Sequence, residues 1–408
     1  MIATGSGTGQ RDGLGAMVIA LCVATPLVML FARSIPPAML TFVSLLLGLR
    51  IALGARDWSV AAMFGHGAQR RVVGITLLFI VLAVLSLLLS GTAPGGGSGR
   101  TLLTFSGSVL LLLLAARLEP PRQSPAFCFV AVATIVLVAV FIVIETRAGG
   151  GIKRSFGLAG DLFRMNRAAV MIGLMLPLVL LTTRSNLRLL FVTLAIAAAI
   201  LGIFSSQSET AKLTLLVVLA VMGFAALAPS AAFLAVGGLA VAATLLMPII
   251  APNILLVIPP MVQDYVGYAS LTIRGEIWRE FGALFWLKPV LGFGFDASSS
   301  IASTSIGAAL PYERRALLAW GHPHNIPLQV WFEFGLVGGL VLTALVAAAF
   351  RALWNLPDRE RSAAIAIFAG VYVTSAVSHG AWQEWWWCLI GLIIVMFRAA
   401  TAPPQRPV

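Results

Sequence analysis

Apolar residues in this chain come in long unbroken runs, not in alternation and not on single faces. Twelve such runs lie at about 14–32, 38–53, 72–90, 101–117, 126–145, 168–184, 187–204, 211–228, 231–250, 326–350, 363–379 and 384–399. Runs of this length match the roughly 20 residues a helix needs to cross a bilayer. A membrane β-barrel would alternate polar and apolar positions instead. Gly and Pro punctuate the joints, as at Pro36-Pro37, Pro94-Gly95-Gly96-Gly97, Pro120-Pro121, Gly149-Gly150-Gly151 and Pro259-Pro260. The pattern predicts an all-α, polytopic transmembrane helical bundle of about 12 spans. Residues 1–408 read as a single membrane domain, with 251–325 as one large loop insertion between spans 9 and 10.

Composition sharpens this. The chain is 60% hydrophobic and only 10% charged, with a mean hydropathy of +0.99. Soluble domains are closer to 25% charged, so a soluble fold, a disordered chain and a coiled coil are excluded. The three cysteines, Cys22, Cys128 and Cys388, fall inside apolar runs and read as packing residues. Net charge is +12. In a soluble protein that excess would suggest nucleic acid. Here the basic residues sit in short loops between spans, so they report topology and no nucleic-acid partner is expected. With both termini cytoplasmic, 14 Lys and Arg face inward and 13 outward. Setting aside the two long outer loops leaves 14 against 3, which supports that orientation. No cleavage site follows the first apolar run, which therefore reads as a retained helix.

The basic residues on the outer side carry chemistry. Arg147, Lys153, Arg154, Arg164 and Arg167 occupy one outer loop, and Arg274, Arg279, Lys288, Arg314 and Arg315 the other. The plain reading is a solvated loop surface. The functional reading is an anion site, because the planar guanidinium donates paired hydrogen bonds to phosphate oxygens. Within the second loop, residues 271–285 place apolar positions 273, 277, 281 and 284–285 on one helical face and charges on the other. This predicts an amphipathic helix lying at the membrane interface, with Trp278 and Trp286 near the headgroups. The serine-rich stretch 298–305 reads as mobile.

The sharpest local feature is Gly321-His322-Pro323-His324-Asn325-Ile326-Pro327. Asn325 is suited to cap a helix N-terminus, and Pro327 is tolerated in the first turn. The helix that follows carries Gln329 and Glu333 on one face. A carboxylate two turns into a membrane helix must face protein or water. His322 and His324 therefore stand at the mouth of a polar stripe. They make a poor metal site: the spacing across a proline does not suit helical chelation, and no Cys or Asp completes a ligand set. His379 and Glu384, beside Trp385-Trp386-Trp387, fall at the next outer turn.

In four places the residues resemble the O-antigen ligase and O-antigen/exopolysaccharide polymerase family of bacterial envelopes. Arg154-x-x-Gly157 followed by Arg164-Met165-Asn166-Arg167 resembles its R-x-x-G and N-x-A stretch. Ser206-Gln207-Ser208-Glu209-Thr210-Ala211-Lys212 resembles its serine element. Arg274-x-x-Ile277-Trp278 with Pro289 to Gly294 resembles R-x-x-I-W…P-x-L-G-x-G. His324-Asn325 with Leu328, Glu333, Gly335 and Gly338 resembles H-N-x-x-L…E-x-G-x-x-G. One position departs: the family has Arg or Lys after the serine that matches Ser208, and this chain has Glu209. Lys212, three residues on, is on the same helix face and is the candidate replacement for that charge.

The resemblance implies a glycosyltransferase of the bacterial inner membrane, with its active site facing the periplasm. The donor would be a glycan on undecaprenyl diphosphate. The acceptor would be a sugar hydroxyl, on lipid A-core for a ligase or on another lipid-linked glycan for a polymerase; the H-P-H-N form favours the ligase. Membrane lipids are further partners, and neither a metal nor another cofactor is implied. His324 is the expected base, with His322 second. Arg274, Arg154, Arg279 and Lys212 are the expected diphosphate ligands, and Asn325, Glu333 and Trp278 support them. A transporter or flippase of a lipid-linked glycan is a more distant alternative. It calls for charged or broken helices near the bilayer midplane, which the nearly charge-free spans do not offer.

Overall fold

The computed structural model of the protein describes residues 6–53, 67–89, 96–118, 126–182, 187–266 and 271–402. Pro94, Pro120-Pro121 and the inward basic residues Arg56, Arg122, Arg184 and Arg406 lie outside them, as do the ends of the runs at 72–90 and 168–184. The described residues are helical with no strand. The long helices are α1 (Ser6–Met29), α2 (Pro36–Ala52), α3 (Ala68–Leu89), α4 (Gly97–Ala115), α5 (Phe127–Arg147), α6 (Asn166–Thr182), α7 (Arg188–Ser205), α8 (Glu209–Leu227), α9 (Pro229–Leu245), α10 (Ile273–Phe285), α11 (Ile326–Ala352), α12 (Asp358–Val377) and α13 (Glu384–Thr401).

A helix lies over each of the twelve apolar runs, but not all are long enough to span. Seven are long and apolar enough, and an eighth is added if the bent pair Pro229–Leu245 and Met247–Val257 counts as one span. Those two segments meet at 70°, so the ninth run turns aside before its expected end. The apolar parts of α1, α2 and α7 are shorter, at 10–17 residues. Helix α6 is the axis of the bundle. It packs against α1, α5, α7, α8, α12 and α13, and nearly every residue from Ala168 to Val179 is buried. Lipid-facing helices keep exposed Leu, Val and Phe, as at Leu85 and Leu88 on α3. In a bilayer such surface needs no partner.

The long segment before α11 is folded onto the bundle. Ile277, Trp278, Phe281 and Phe285 of α10 share a buried cluster with Met247, Ile301, Leu318 and with Leu328, Trp331 and Phe332 of α11. This corrects the expected placing of Trp278 among headgroups. The indole is buried, and its Nε1–H donates to the Pro323 carbonyl at 2.7 Å. Trp286 alone of the pair stays exposed. The serine-rich stretch is folded too. It forms short turns at Ala297–Ser299 and Ile301–Ser303, and Ser298 is fully buried.

Helix α11 is broken at Gly335, whose φ of 60° and ψ of −152° leave the helical region. The segment Pro289–Gly294 fills the break. Leu336 N–H donates to the Pro289 carbonyl (2.8 Å), while Phe293 and Gly294 N–H donate to the carbonyls of Phe332 (3.1 Å) and Glu333 (2.8 Å). The close approach demands glycine on both sides. A Cβ on Gly292 would meet the Glu333 carbonyl carbon at 2.4 Å, and one on Gly335 the Val290 carbonyl carbon at 2.4 Å. Both also have positive φ, which glycine alone adopts without strain.

Glu333 sits at this junction with no exposure. It accepts from Asp296 N–H (2.6 Å), Ser298 N–H (3.4 Å), Ser298 Oγ (2.5 Å), Gln329 Nε2 (2.9 Å) and Trp382 Nε1 (2.9 Å). Gln329 in turn accepts from Ala381 N–H at 2.8 Å. A buried carboxylate needs such donors to offset its lost hydration. Glu333 thus ties the 296–298 turn and the turn after α12 to α11.

Candidate active site

The turn before α11 is shaped by its own side chains. Asn325 caps the helix, its Oδ1 accepting from Leu328 N–H at 2.9 Å. This forces the chain to reverse at His324, which has a φ of 54°, in the left-handed region that costs a β-carbon residue energy. His322 supports that strained residue: its Nδ1 accepts from His324 N–H at 3.1 Å. Its Nε2 lies 3.2 Å from Gln383 Nε2.

His324 Nδ1 lies 3.2 Å from the Ser378 carbonyl. A carbonyl only accepts, so Nδ1 holds the proton and Nε2 is left as the basic nitrogen. Burial, and then the positive charge of Arg274, push the His324 pKa below 6.5, partly opposed by the Ser378 bond. Burial and the neighbouring His324 push His322 down to about 3. Both rings are therefore neutral at neutral pH, the form a base requires.

Beside this pair is a cavity of about 90 Å³. Asn166 and Arg167 at the head of α6 line it, as do Ser208, Glu209 and Thr210 at the head of α8. Arg274 of α10 closes one side, and Ser378, His379 and Trp385 another. Arg274 donates to Thr210 Oγ1 at 3.3 Å. Arg167 lies over the Trp385 ring at 3.7 Å and donates to the Arg33 carbonyl at 3.0 Å. His379 is buried against Trp385 and Trp386, with ring centroids 4.7 and 4.5 Å away. Burial first, then Arg167, His324, His322 and Arg274, hold its pKa well below 6.5.

The other sequence candidates lie elsewhere. Arg279 is exposed, 4.0 Å from Glu280, and opens on a separate groove of about 390 Å³ between α10 and the 248–256 segment. Arg154 is exposed on the turn after α5, folded against Gly160. Lys212 is ion-paired to Glu209 at 2.7 Å and does not line the cavity. Arg167 and His379 are the residues not selected from the sequence. Each stood in a segment already singled out, but their meeting depends on how α6 and α13 pack.

Residues 193–343 match the family described as O-antigen ligase. That stretch runs from α7 into α11 and holds Arg274, both site histidines of the turn and Glu333. Curated relatives agree. A protein of Rickettsia typhi and one of Rickettsia prowazekii, both named "Putative polysaccharide ligase", are each 31% identical over 137 residues, covering 33% of this chain and 33% of theirs. One of Rickettsia bellii, with the same name, is 27% identical over 167 residues, 39% of either chain. The match thus spans about a third of the length of the curated relatives. Arg154, Arg167, His379 and Trp385 lie beyond the family match.

Proposed function

We propose that the protein is a glycosyltransferase of the bacterial inner membrane that works on the periplasmic side and moves a glycan from undecaprenyl diphosphate to a sugar hydroxyl. The acceptor that best fits the H-P-H-N turn and the names of the relatives is lipid A-core, which makes the protein an O-antigen ligase. In this reading the twelve helices over the apolar runs all cross or enter the membrane, and both termini are cytoplasmic.

One observation carries the reading. A neutral imidazole with a defined basic nitrogen stands beside a small cavity bearing a half-buried guanidinium, since Ser378, which orients His324, also lines the cavity with Arg274. The acceptor hydroxyl gives its proton to His324 Nε2 as its oxygen bonds to the anomeric carbon. The bond from that carbon to the diphosphate oxygen breaks, and the electron pair leaves on the diphosphate. Arg274 meets the charge as it develops there.

The test is transfer by purified protein given a lipid-linked glycan and lipid A-core. A new glycosidic bond is expected from the wild type and not from His324→Asn, because Asn tolerates a left-handed backbone but is no base. No product from the wild type, or full turnover by the variant, ends the proposal.

A further inference from the structure

The cavity keeps more polar groups than the protein itself uses. Three of its lining residues carry a buried polar atom with no hydrogen-bond partner: Asn166 Oδ1, His379 Nε2 and Trp385 Nε1. His379 and Trp385 are 8% and 6% exposed, so water does not readily relieve them. Two of these, the ring nitrogens of His379 and Trp385, can donate to an anion, whereas Asn166 Oδ1 only accepts, and buried donors left unpaired in a folded protein call for a partner. The same space is lined by two arginines, Arg167 from the head of α6 and Arg274 from α10. Its volume of about 90 Å³ compares with about 10–15 Å³ for one water on that measure, room for a phosphoryl group and its oxygens.

Charge on one wall is already spent. Where the family motif has a cation, Glu209 lines the cavity, and Lys212 is held by it at 2.7 Å. From the α8 and α10 side, Arg274 is the cation that remains facing the cavity. Arg167, from the head of α6, is fixed by the Arg33 carbonyl and the Trp385 ring.

We propose that Arg167, with the His379 and Trp385 ring N–H groups, shares a diphosphate site with Arg274, and that Arg167 supplies the charge which Glu209 does not. The site rests on the glycosyltransferase reading for the identity of its ligand, but anion binding is measurable without transfer. The chemistry is that of a diphosphate oxyanion, free or lipid-linked.

Binding of inorganic diphosphate and of undecaprenyl diphosphate to the purified full chain in detergent tests it, with unlabelled diphosphate as competitor. Both are expected to bind, the lipid-linked form more tightly. Arg167→Gln is expected to weaken both by about tenfold or more, the loss of one charged hydrogen-bonding group. Because Arg167 also holds Arg33 and Trp385, loss alone could reflect packing. The double variant Arg167→Gln/Glu209→Arg separates the two, since it returns a cation to the cavity from the α8 side. Recovery of most of the lost affinity supports the proposal. Loss without recovery makes Arg167 structural and overturns it, as does unchanged binding in Arg167→Gln. Should the wild type bind neither anion yet still transfer glycan in a His324-dependent way, this site fails while the glycosyltransferase reading stands.

Discussion

Two polar clusters draw on the 378–385 segment, and they are built in opposite ways. Around Glu333, five hydrogen bonds converge on one carboxylate and complete it. Around the His379 cavity, three buried polar atoms have no partner and two arginines line the same space. A saturated network holds a fold together, and an unsaturated one waits for something else to complete it. The contrast separates scaffold from site although both consist of buried polar residues.

Substitutions can break or sharpen that contrast. The largest effect is expected at His324: His324→Asn should lower transfer by about 10²–10⁴-fold, the usual worth of a general base, while the thermal midpoint stays near that of the wild type. Glu333→Ala should do the reverse. It strands five donors and should destabilise the protein by about 3–5 kcal/mol, seen as loss of monodisperse protein in detergent. If Glu333→Ala folded normally and lost only turnover, the division between the clusters would collapse. Arg274→Lys keeps the charge but loses the planar fork, and should reduce transfer by about 10–100-fold.

Acid should act on the site cluster as well. An unfolded His322 takes up a proton near pH 6.5, and the folded one only near about 3. Between these values the unfolded chain binds the extra proton, so stability falls as pH is lowered through that window. Thermal midpoints of the wild type should drop from pH 7 to pH 4 more steeply than those of His322→Gln. The smallest effect belongs to Arg279→Gln. On its own groove and exposed, it should change transfer by no more than about twofold; a large loss there would join the two surfaces into one site.

Much of this architecture is visible in the chain alone, because lipid leaves few choices. An apolar run must be a helix when no water can satisfy its backbone, and helices lie over all twelve runs. The capping role of Asn325 is equally local and appears as expected. Residues whose meaning depends on distant partners were harder to place. Trp278 looks like an interfacial anchor until the Pro323 carbonyl, 45 residues on, claims its N–H. Arg274 and Arg279 share a helix and a charge, but five residues of helical turn set them on different surfaces. Arg167 and His379 are 212 residues apart and meet through packing between α6 and the start of α13. Among the described residues seven helices are long and apolar enough to cross a membrane, and length alone does not make a span of the runs that are short or bend, as after Leu245.

The graft of residues 289–294 into the interruption at Gly335 also limits how this part of the molecule can move. Swinging that stretch outward as a flap would tear main-chain bonds from a membrane helix and uncover a carboxylate deep in the protein. The inserted segment and the helix must therefore travel together or not at all.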